Sequence, residues 1–236
     1  MKIIRRDEVS LIEQMRDGQF ATVRCILCCT KKKDGFRGFD VVYHANETDL
    51  EGLSALENAI IYGLEDVALM LMQEPECSFL YSHKDGNRPC PAGLAIKYGR
   101  NEVLADMLKR QSFDAKDLRH FVQSRAYGDI SLLCYAVMYK NLDAVHMLKI
   151  HGAKVEKDNE GGFSTLSQAA IQAVGCMDCG VEMQIFREVL KALAGQSDKH
   201  EIIAQAVADL HEASLKMDDP KAIGKVDMIL ASADMY

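Results

Sequence analysis

Cysteine is the residue type in this chain whose spacing could support chemistry. The 236 residues include eight cysteines, and two pairs have C-x-x-C spacing, Cys25/Cys28 and Cys176/Cys179. Such a pair could act as a redox couple or supply two thiolates to a zinc ion, which usually takes four ligands. Glycines flank the second pair, so we expect it in an enlarged loop. An enzyme or a metal- or redox-dependent switch using Cys176/Cys179 is one hypothesis, and structural thiols are the simpler interpretation.

Other signatures of catalysis are absent from the sequence. The seven histidines form no H-E-x-x-H array, and the chain has no G-x-S-x-G, G-x-x-x-x-G-K or G-x-G-x-x-G motif. Acidic residues are numerous, but they are dispersed along helix-like segments. We therefore predict no catalytic residues, no bound metal and no cofactor, and we expect that the chain is not an enzyme.

Charge and hydropathy restrict the partners and the location. A net charge of −7 disfavours binding to the phosphate backbone of nucleic acids. No apolar run reaches the roughly 18 residues of a membrane span, so no membrane insertion is expected. The N-terminal stretch MKIIRRDEVSLIEQMRDG lacks the apolar core of a signal peptide. We therefore expect a cytoplasmic protein with reduced cysteines.

An internal repeat defines the elements that would carry a site. Three segments, beginning at Ser54, Cys90 and Ser131, align without a gap. They read SALENAIIYGLEDVALMLM, CPAGLAIKYGRNEVLADML and SLLCYAVMYKNLDAVHMLK. Their shared features are an alanine column, a tyrosine column and a glycine column. Spacings of 36, 41 and 33 residues separate the members of the alanine column, Ala59, Ala95, Ala136 and Ala169.

Each repeat is predicted to be two short helices joined at the glycine column. Glycine inside a helix costs about 1 kcal/mol, whereas at a turn it adopts a positive φ without strain. Gly63 and Gly99 therefore mark the turns. Lys140 departs from this pattern, and we expect Asn141 to take part of the strain. Serines precede the first helices, where a hydroxyl can cap free N–H groups; they are Ser54, Ser131 and Ser164.

This pattern resembles the ankyrin repeat. The family's motif runs G-x-T-P-L-H-x-A-A-x-x-G, followed by an apolar second helix, a G-A step and a turn that ends D-x-x-G. Gly152-Ala153 matches the G-A step, and Gly162, Leu166 and Ala169-Ala170 match the start that follows. The resemblance covers roughly residues 8–195. The motif's histidine is replaced, which puts regular hydrogen bonding between turns in doubt; the replacements are Glu57, Gly93, Cys134 and Ser167.

The resemblance implies an all-α fold, a solenoid of stacked antiparallel helix pairs in a single domain over residues 1–236. No single unit can bury its apolar face alone, so each must stack on the next. We expect an N-terminal cap repeat at 8–29, about four irregular repeats at 52–195 and a C-terminal helical cap at 198–236. Insertions are expected at 30–50 and 109–130.

The insertions and the C-terminal end carry their own predictions. The first insertion is strand-like at 39–43, which suggests an extended finger or a hairpin. Its Lys31–Lys33 run could meet an acidic partner or an anionic headgroup, or it could be a solvated loop. The second insertion is predicted to form an extra helix after Asp114, and a last helix is predicted from Pro220.

The tyrosine column is the candidate binding surface. In an ankyrin stack, the two residues before the glycine between paired helices lie on the concave side, and such surfaces bind proteins. Tyrosine offers a large amphipathic contact area at low entropic cost. The alternative is that each ring packs against the neighbouring repeat. The predicted partner-binding residues are Tyr62, Tyr98, Tyr139, Ile61, Lys97, Met138, Gln172 and Leu53. The implied partner is another protein, and the irregular repeats suggest a diverged bacterial or viral member of the family, such as a bacterial effector delivered into a host cell.

Overall fold

The structure, a computed structural model, describes the parts of the chain that build the repeats. These residues are 10–31, 47–74, 77, 88–111, 125–127, 130–156, 164–175 and 180–216. The chain divides into two compact units, residues 1–81 and 82–236. The prediction of one domain over residues 1–236 stays a prediction. The predicted strand at 39–43, the predicted helix after Asp114 and the predicted helix from Pro220 lie outside the described residues.

The described residues of the first unit form two helix pairs. They are α1 (Leu11–Arg16) with α2 (Phe20–Lys31), and α3 (Ala55–Tyr62) with α4 (Glu65–Leu71). The first helices of the two pairs, α1 and α3, pack against each other, and so do the second helices, α2 and α4. The apolar side chains between them are fully or almost fully buried; they are Leu11, Met15, Leu27, Leu56, Ile60 and Leu71.

The described residues of the second unit show the same arrangement, with three pairs and one further helix. The pairs are α5 (Pro91–Lys97) with α6 (Asn101–Gln111), α7 (Leu132–Met138) with α8 (Leu142–Ile150), and α9 (Thr165–Gly175) with α10 (Val181–Leu193). The further helix is α11 (Lys199–Lys216). Helices α5, α7, α9 and α11 pack in that order and form an inner row, while α6, α8 and α10 form an outer row. The predicted stack of antiparallel helix pairs is confirmed.

A short hairpin enters this helical unit just before α7. Strands β1 (Arg125–Tyr127) and β2 (Ile130–Ser131) pair antiparallel, and β1 packs against α5 and α7. The N–H of Cys90 donates to the carbonyl oxygen of Ala126 at 2.8 Å. The hairpin therefore fastens the end of the second insertion to the start of α5, a feature that the sequence did not predict.

Side-chain caps begin the first helix of each pair. The hydroxyls of the three predicted serines each accept an N–H from the residue three positions later. Glu57 completes the cap at Ser54, because its Oε2 accepts the Ser54 N–H at 2.8 Å. Cys90 serves the same purpose through its Sγ, which accepts the N–H of Gly93 at 3.3 Å. The column of capping residues is therefore longer than predicted; it comprises Ser10, Ser54, Cys90, Ser131 and Ser164.

The turns within the pairs use left-handed backbone. Gly63 has φ 75° and Gly99 has φ 66°, as the glycine column predicted. Lys140 adopts φ 54° itself. The expectation that Asn141 would share the strain was wrong, since Asn141 has φ −88° and caps α8 through its side chain. Helix α9 continues to Gly175 without such a break.

The alanine column allows the helices to approach closely. Ala59, Ala95, Ala136 and Ala169 are completely buried, as predicted. At Gly93, which stands in the histidine position of the motif, the approach is closer still. A Cβ atom there would lie 2.9 Å from the carbonyl oxygen of Ala126. Small residues thus set the separation of the inner row and of the hairpin.

Candidate functional site

The ends of the inner-row helices form an exposed patch in the second unit. Lys97 and Tyr98 lie at the end of α5, Met138 and Tyr139 at the end of α7, and Gln172 in α9. These five residues are named the tyrosine surface. Tyr98, Tyr139 and Met138 are 38%, 40% and 39% exposed. The side chains are therefore partly packed and partly open to solvent.

Backbone geometry explains why these side chains end up exposed. The N–H of Gly99 donates to the carbonyl of Ile96, and that of Arg100 to the carbonyl of Ala95. This pattern, with a left-handed residue after the helix, terminates α5 and turns the chain away. The same pair of bonds at Lys140 and Asn141 terminates α7. The last side chains of each helix therefore stand at its end and are not covered by its own chain.

Contacts within the tyrosine surface hold its side chains in place. The Lys97 ammonium lies 5.6 Å from the ring centroid of Tyr98 and 5.8 Å from that of Tyr139. The Tyr139 ring packs on the buried Tyr135 at a centroid distance of 4.7 Å. The Gln172 amide donates to the carbonyl oxygen of Met138 at 3.2 Å. Lys97 thus links two aromatic rings, and Gln172 links α9 to α7.

The first unit has a smaller aromatic patch of its own. Tyr62 at the end of α3 is 44% exposed, and its ring centroid lies 6.5 Å from that of Phe20. Ile61 beside it is half-buried. Leu53, also predicted for partner binding, precedes the start of α3 and donates its N–H to Asp49. At 1.5 Å per residue, α3 separates Leu53 from Tyr62 by about 12 Å.

Sequence reasoning missed two aromatic residues of these patches. Tyr135 stands four positions before Tyr139, a spacing that brings side chains together on a helix, so this contact was readable from the sequence. Phe20 contacts Tyr62 from another helix pair. No local pattern in the sequence indicates that contact.

Ion pairs between the outer-row helices support the second unit. The Glu188 carboxylate of α10 binds the ammonium of Lys149 in α8 and that of Lys191 in α10. Burial raises the pKa of Glu188, but hydrogen bonds and charge from the two lysines outweigh it and lower this pKa to about 2. Lys140 pairs with Glu182 at 2.8 Å. These pairs connect α7 and α8 to α10 and hold the repeats in register.

A matching ion pair connects the second helices of the first unit. Arg24 of α2 makes a two-pronged contact with Asp66 of α4. The hydrogen bond from Arg24 lowers the pKa of the Asp66 carboxyl below its ordinary value. The same bond raises the pKa of Arg24.

The cysteines fall into different environments. Cys25 and Cys28 are exposed on α2, whereas Cys90 and Cys134 are buried at the starts of α5 and α7. The pair Cys176/Cys179 lies outside the described residues, so a metal or redox role for it stays a prediction. Across the ranges that the structure describes, no three His, Cys, Asp or Glu side chains are grouped so as to hold a metal ion. In the same ranges, no helix combines the length and the apolar character needed to span a bilayer.

Comparison with solved structures identifies the fold of this chain. The sequence matches no protein-family model and no curated protein. Among solved structures, an ankyrin repeat domain from Acinetobacter baumannii AYE is 18% identical with a TM-score of 0.61, over 95% of this chain and 97% of that one. Another ankyrin repeat protein is 18% identical with a TM-score of 0.62, over 98% of both chains. The ankyrin repeat domain of Bcl-3, of the IkappaB protein family, is 15% identical with a TM-score of 0.51, over 85% of this chain and 97% of that one. The chain therefore has the ankyrin-repeat fold.

Proposed function

We propose that this chain is a protein-binding module whose second unit contacts its partner through the tyrosine surface. The observation that supports the proposal is the combination of exposure and order in one patch. Two tyrosine rings and Met138 remain about two-fifths exposed. Lys97 contacts both rings, Tyr135 packs on one of them, and Gln172 binds the main-chain carbonyl of Met138. A surface whose side chains are ordered before binding loses less conformational entropy on association.

The residue types also suit a protein partner. Tyrosine is enriched at the energetic centres of protein interfaces, and methionine adapts its shape to an apolar neighbour. The fold contributes a rigid base, because the buried alanine column and the ion pairs of the outer row keep successive helix pairs in register. Tyr62 and Phe20 offer a second, separate aromatic patch on the first unit. We propose that it provides an additional contact.

The test is a double substitution, Tyr98→Ala with Tyr139→Ala. Truncating two hot-spot residues should weaken partner binding by at least about 2 kcal/mol, roughly thirtyfold. Because both rings lie at helix ends and are partly exposed, helicity and the melting temperature should change little. Affinity capture followed by mass spectrometry identifies the partner, and titration calorimetry with the purified partner measures the loss.

Ile150→Ala is the matched control. Ile150 is also an exposed large apolar side chain, at the end of the outer-row helix α8. Its removal should leave the captured partner and its affinity unchanged. If the double tyrosine variant captures the same partner with the same affinity as the original chain, the tyrosines are packing residues and the proposal fails.

A cytoplasmic location and delivery into a host cell remain predictions. So does the expectation that the partner is a protein and not a nucleic acid. Fractionation of the source cells and of any infected host would test the location directly.

A further inference from the structure

We infer that the partner of the tyrosine surface presents a carboxylate to Lys97, flanked by apolar side chains that cover Tyr98, Tyr139 and Met138. This inference rests on the proposed function and names the chemistry of its partner. It is carried by the surroundings of Lys97, which differ from those of the other lysines whose contacts are known in this unit.

Lys97 occupies the centre of the tyrosine surface. Its ammonium lies within 6 Å of both ring centroids, at 5.6 Å and 5.8 Å, so the two aromatic faces share one cation. A cation between two rings is attracted by their electron-rich faces. The rings themselves accept no conventional hydrogen bond, so the N–H groups of the ammonium still need an acceptor.

Three other lysines of this unit form ion pairs with glutamates. Lys140 pairs with Glu182, and Lys149 and Lys191 both pair with Glu188. Within the residues that the structure describes, Lys97 contacts aromatic rings and has no carboxylate partner. Carboxylates are not scarce, because the chain carries 35 acidic residues against 28 basic ones. Lys97 is therefore a cation held in an apolar patch and left open to a group from outside.

When a partner covers the tyrosine surface, the lack of a hydrogen-bond acceptor for the Lys97 ammonium becomes unfavourable. A partner that packs on Tyr98, Tyr139 and Met138 removes water from Lys97, and a desolvated charge without a partner is unfavourable. An aspartate, a glutamate or a chain-terminal carboxylate would complete the hydrogen bonding of the ammonium. A phosphorylated segment fits less well, because phosphate recognition favours bidentate arginine and the tyrosine surface contains none. The complementary segment is therefore acidic at one position and apolar beside it.

A peptide-display selection with the full chain tests the inference. Random linear peptides displayed on phage are selected on the original protein, and the enriched sequences are synthesised for affinity measurements. We expect enriched peptides to carry Asp or Glu beside Leu, Ile, Phe or Met. Lys97→Gln should weaken their binding by about tenfold, the change that follows from losing one charge-assisted hydrogen bond. Lys97→Glu should shift the selection towards Lys and Arg.

A control variant and the contrary outcomes make the test decisive. Lys154→Gln removes the same charge at an exposed position in the loop that follows the outer-row helix α8, and it should leave peptide affinity unchanged. Peptides that depend on Tyr98 and Tyr139 but carry no acidic residue, or that bind the Lys97→Gln variant equally well, would overturn this inference and leave the proposed function standing. A selection that yields no peptide sensitive to the tyrosine pair would count against both.

Discussion

At the scale of the residue, Gly93 shows how one missing side chain positions a neighbouring element. The carbonyl oxygen of Ala126 accepts the N–H of Cys90, and it would lie 2.9 Å from a Cβ at residue 93. Backbone oxygen cannot move aside as a flexible side chain can. The hairpin and the start of α5 therefore fit together only because residue 93 is glycine.

Gly93→Ala should destabilise the second unit by about 1–3 kcal/mol, the usual cost of overpacking, even though alanine favours helix more than glycine does. Urea denaturation followed by circular dichroism measures the change. Gly195→Ala is the control, because a Cβ there meets nothing within 4 Å, and we expect it to be nearly neutral. An equally small effect at residue 93 would show that the hairpin shifts freely.

The ion pairs of Glu188 predict that the stability of the folded protein depends on pH. Its folded pKa of about 2 lies below the ordinary value of 4.5, so the ionised form is favoured in the folded protein. The resulting stability is present above about pH 4.5 and is lost as the pH falls towards 2. Glu188→Gln should cost about 1 kcal/mol at neutral pH, as a partly exposed ion-pair network does. The difference in urea midpoint between the two proteins should disappear at acidic pH. A difference that does not depend on pH would contradict the stabilising role of ionised Glu188.

At the scale of the element, the separation between inner-row helices depends on the alanine column. Ala136 is fully buried in α7, which packs against both α5 and α9. Ala136→Leu should force these helices apart and cost about 3 kcal/mol. Thermal melting compares it with Ala105→Leu, where the same enlargement falls on an exposed position of α6. A buried leucine that leaves the melting temperature unchanged would mean that the row tolerates wider spacing.

Much of each element could be predicted from the sequence. The serine caps and the turns at Gly63 and Gly99 depend on nearest neighbours along the chain. The buried alanines depend on packing between repeats, but the repeat shows their column several times. The left-handed conformation of Lys140 could not be predicted, because it depends on the whole repeat holding an unfavourable residue in place. The role of Gly93 could not be predicted for a related reason, because it depends on a hairpin more than 30 residues away in the sequence.

Contacts between repeats were missed, although the sequence carried a signal for some of them. Several pairs join residues 42 positions apart, namely Arg24 with Asp66, Asn101 with Asp143, Lys140 with Glu182 and Ser167 with Asp209. Equivalent positions in successive repeats face each other, so complementary polar residues about one repeat apart are candidates for contact. The position of Lys97 between two rings carries no such signal, because it depends on where the side chains at two helix ends point.

At the scale of the whole molecule, α11 completes the inner row of the second unit. It packs on α9, and its buried side chains are Ile202, Ala206 and Leu210. The Ser167 hydroxyl also donates to Asp209 of α11. Helix α11 thus covers the apolar side of α9, and the C-terminal helical cap over residues 198–236 stays a prediction.

Ile202→Asp should detach α11 from α9, because a buried carboxylate without a partner costs several kcal/mol. The apolar side of α9 would then be exposed, and we expect concentration-dependent self-association by analytical ultracentrifugation together with a lower melting temperature. Ala204→Asp, on an exposed position of the same helix, is the control. A monomeric and stable Ile202→Asp protein would show that α11 is dispensable.

The lysine-to-glutamate pairs of the second unit also limit how the array can be lengthened. Inserting a designed module between α8 and α9 would separate Lys140 from Glu182 and Lys149 from Glu188 in a single step. The inserted module would need acidic residues on the side that packs against α7 and α8, and basic residues on the side that packs against α10. An inserted module therefore needs opposite charges on its two sides. A module without matching charges at both junctions should pack poorly at each.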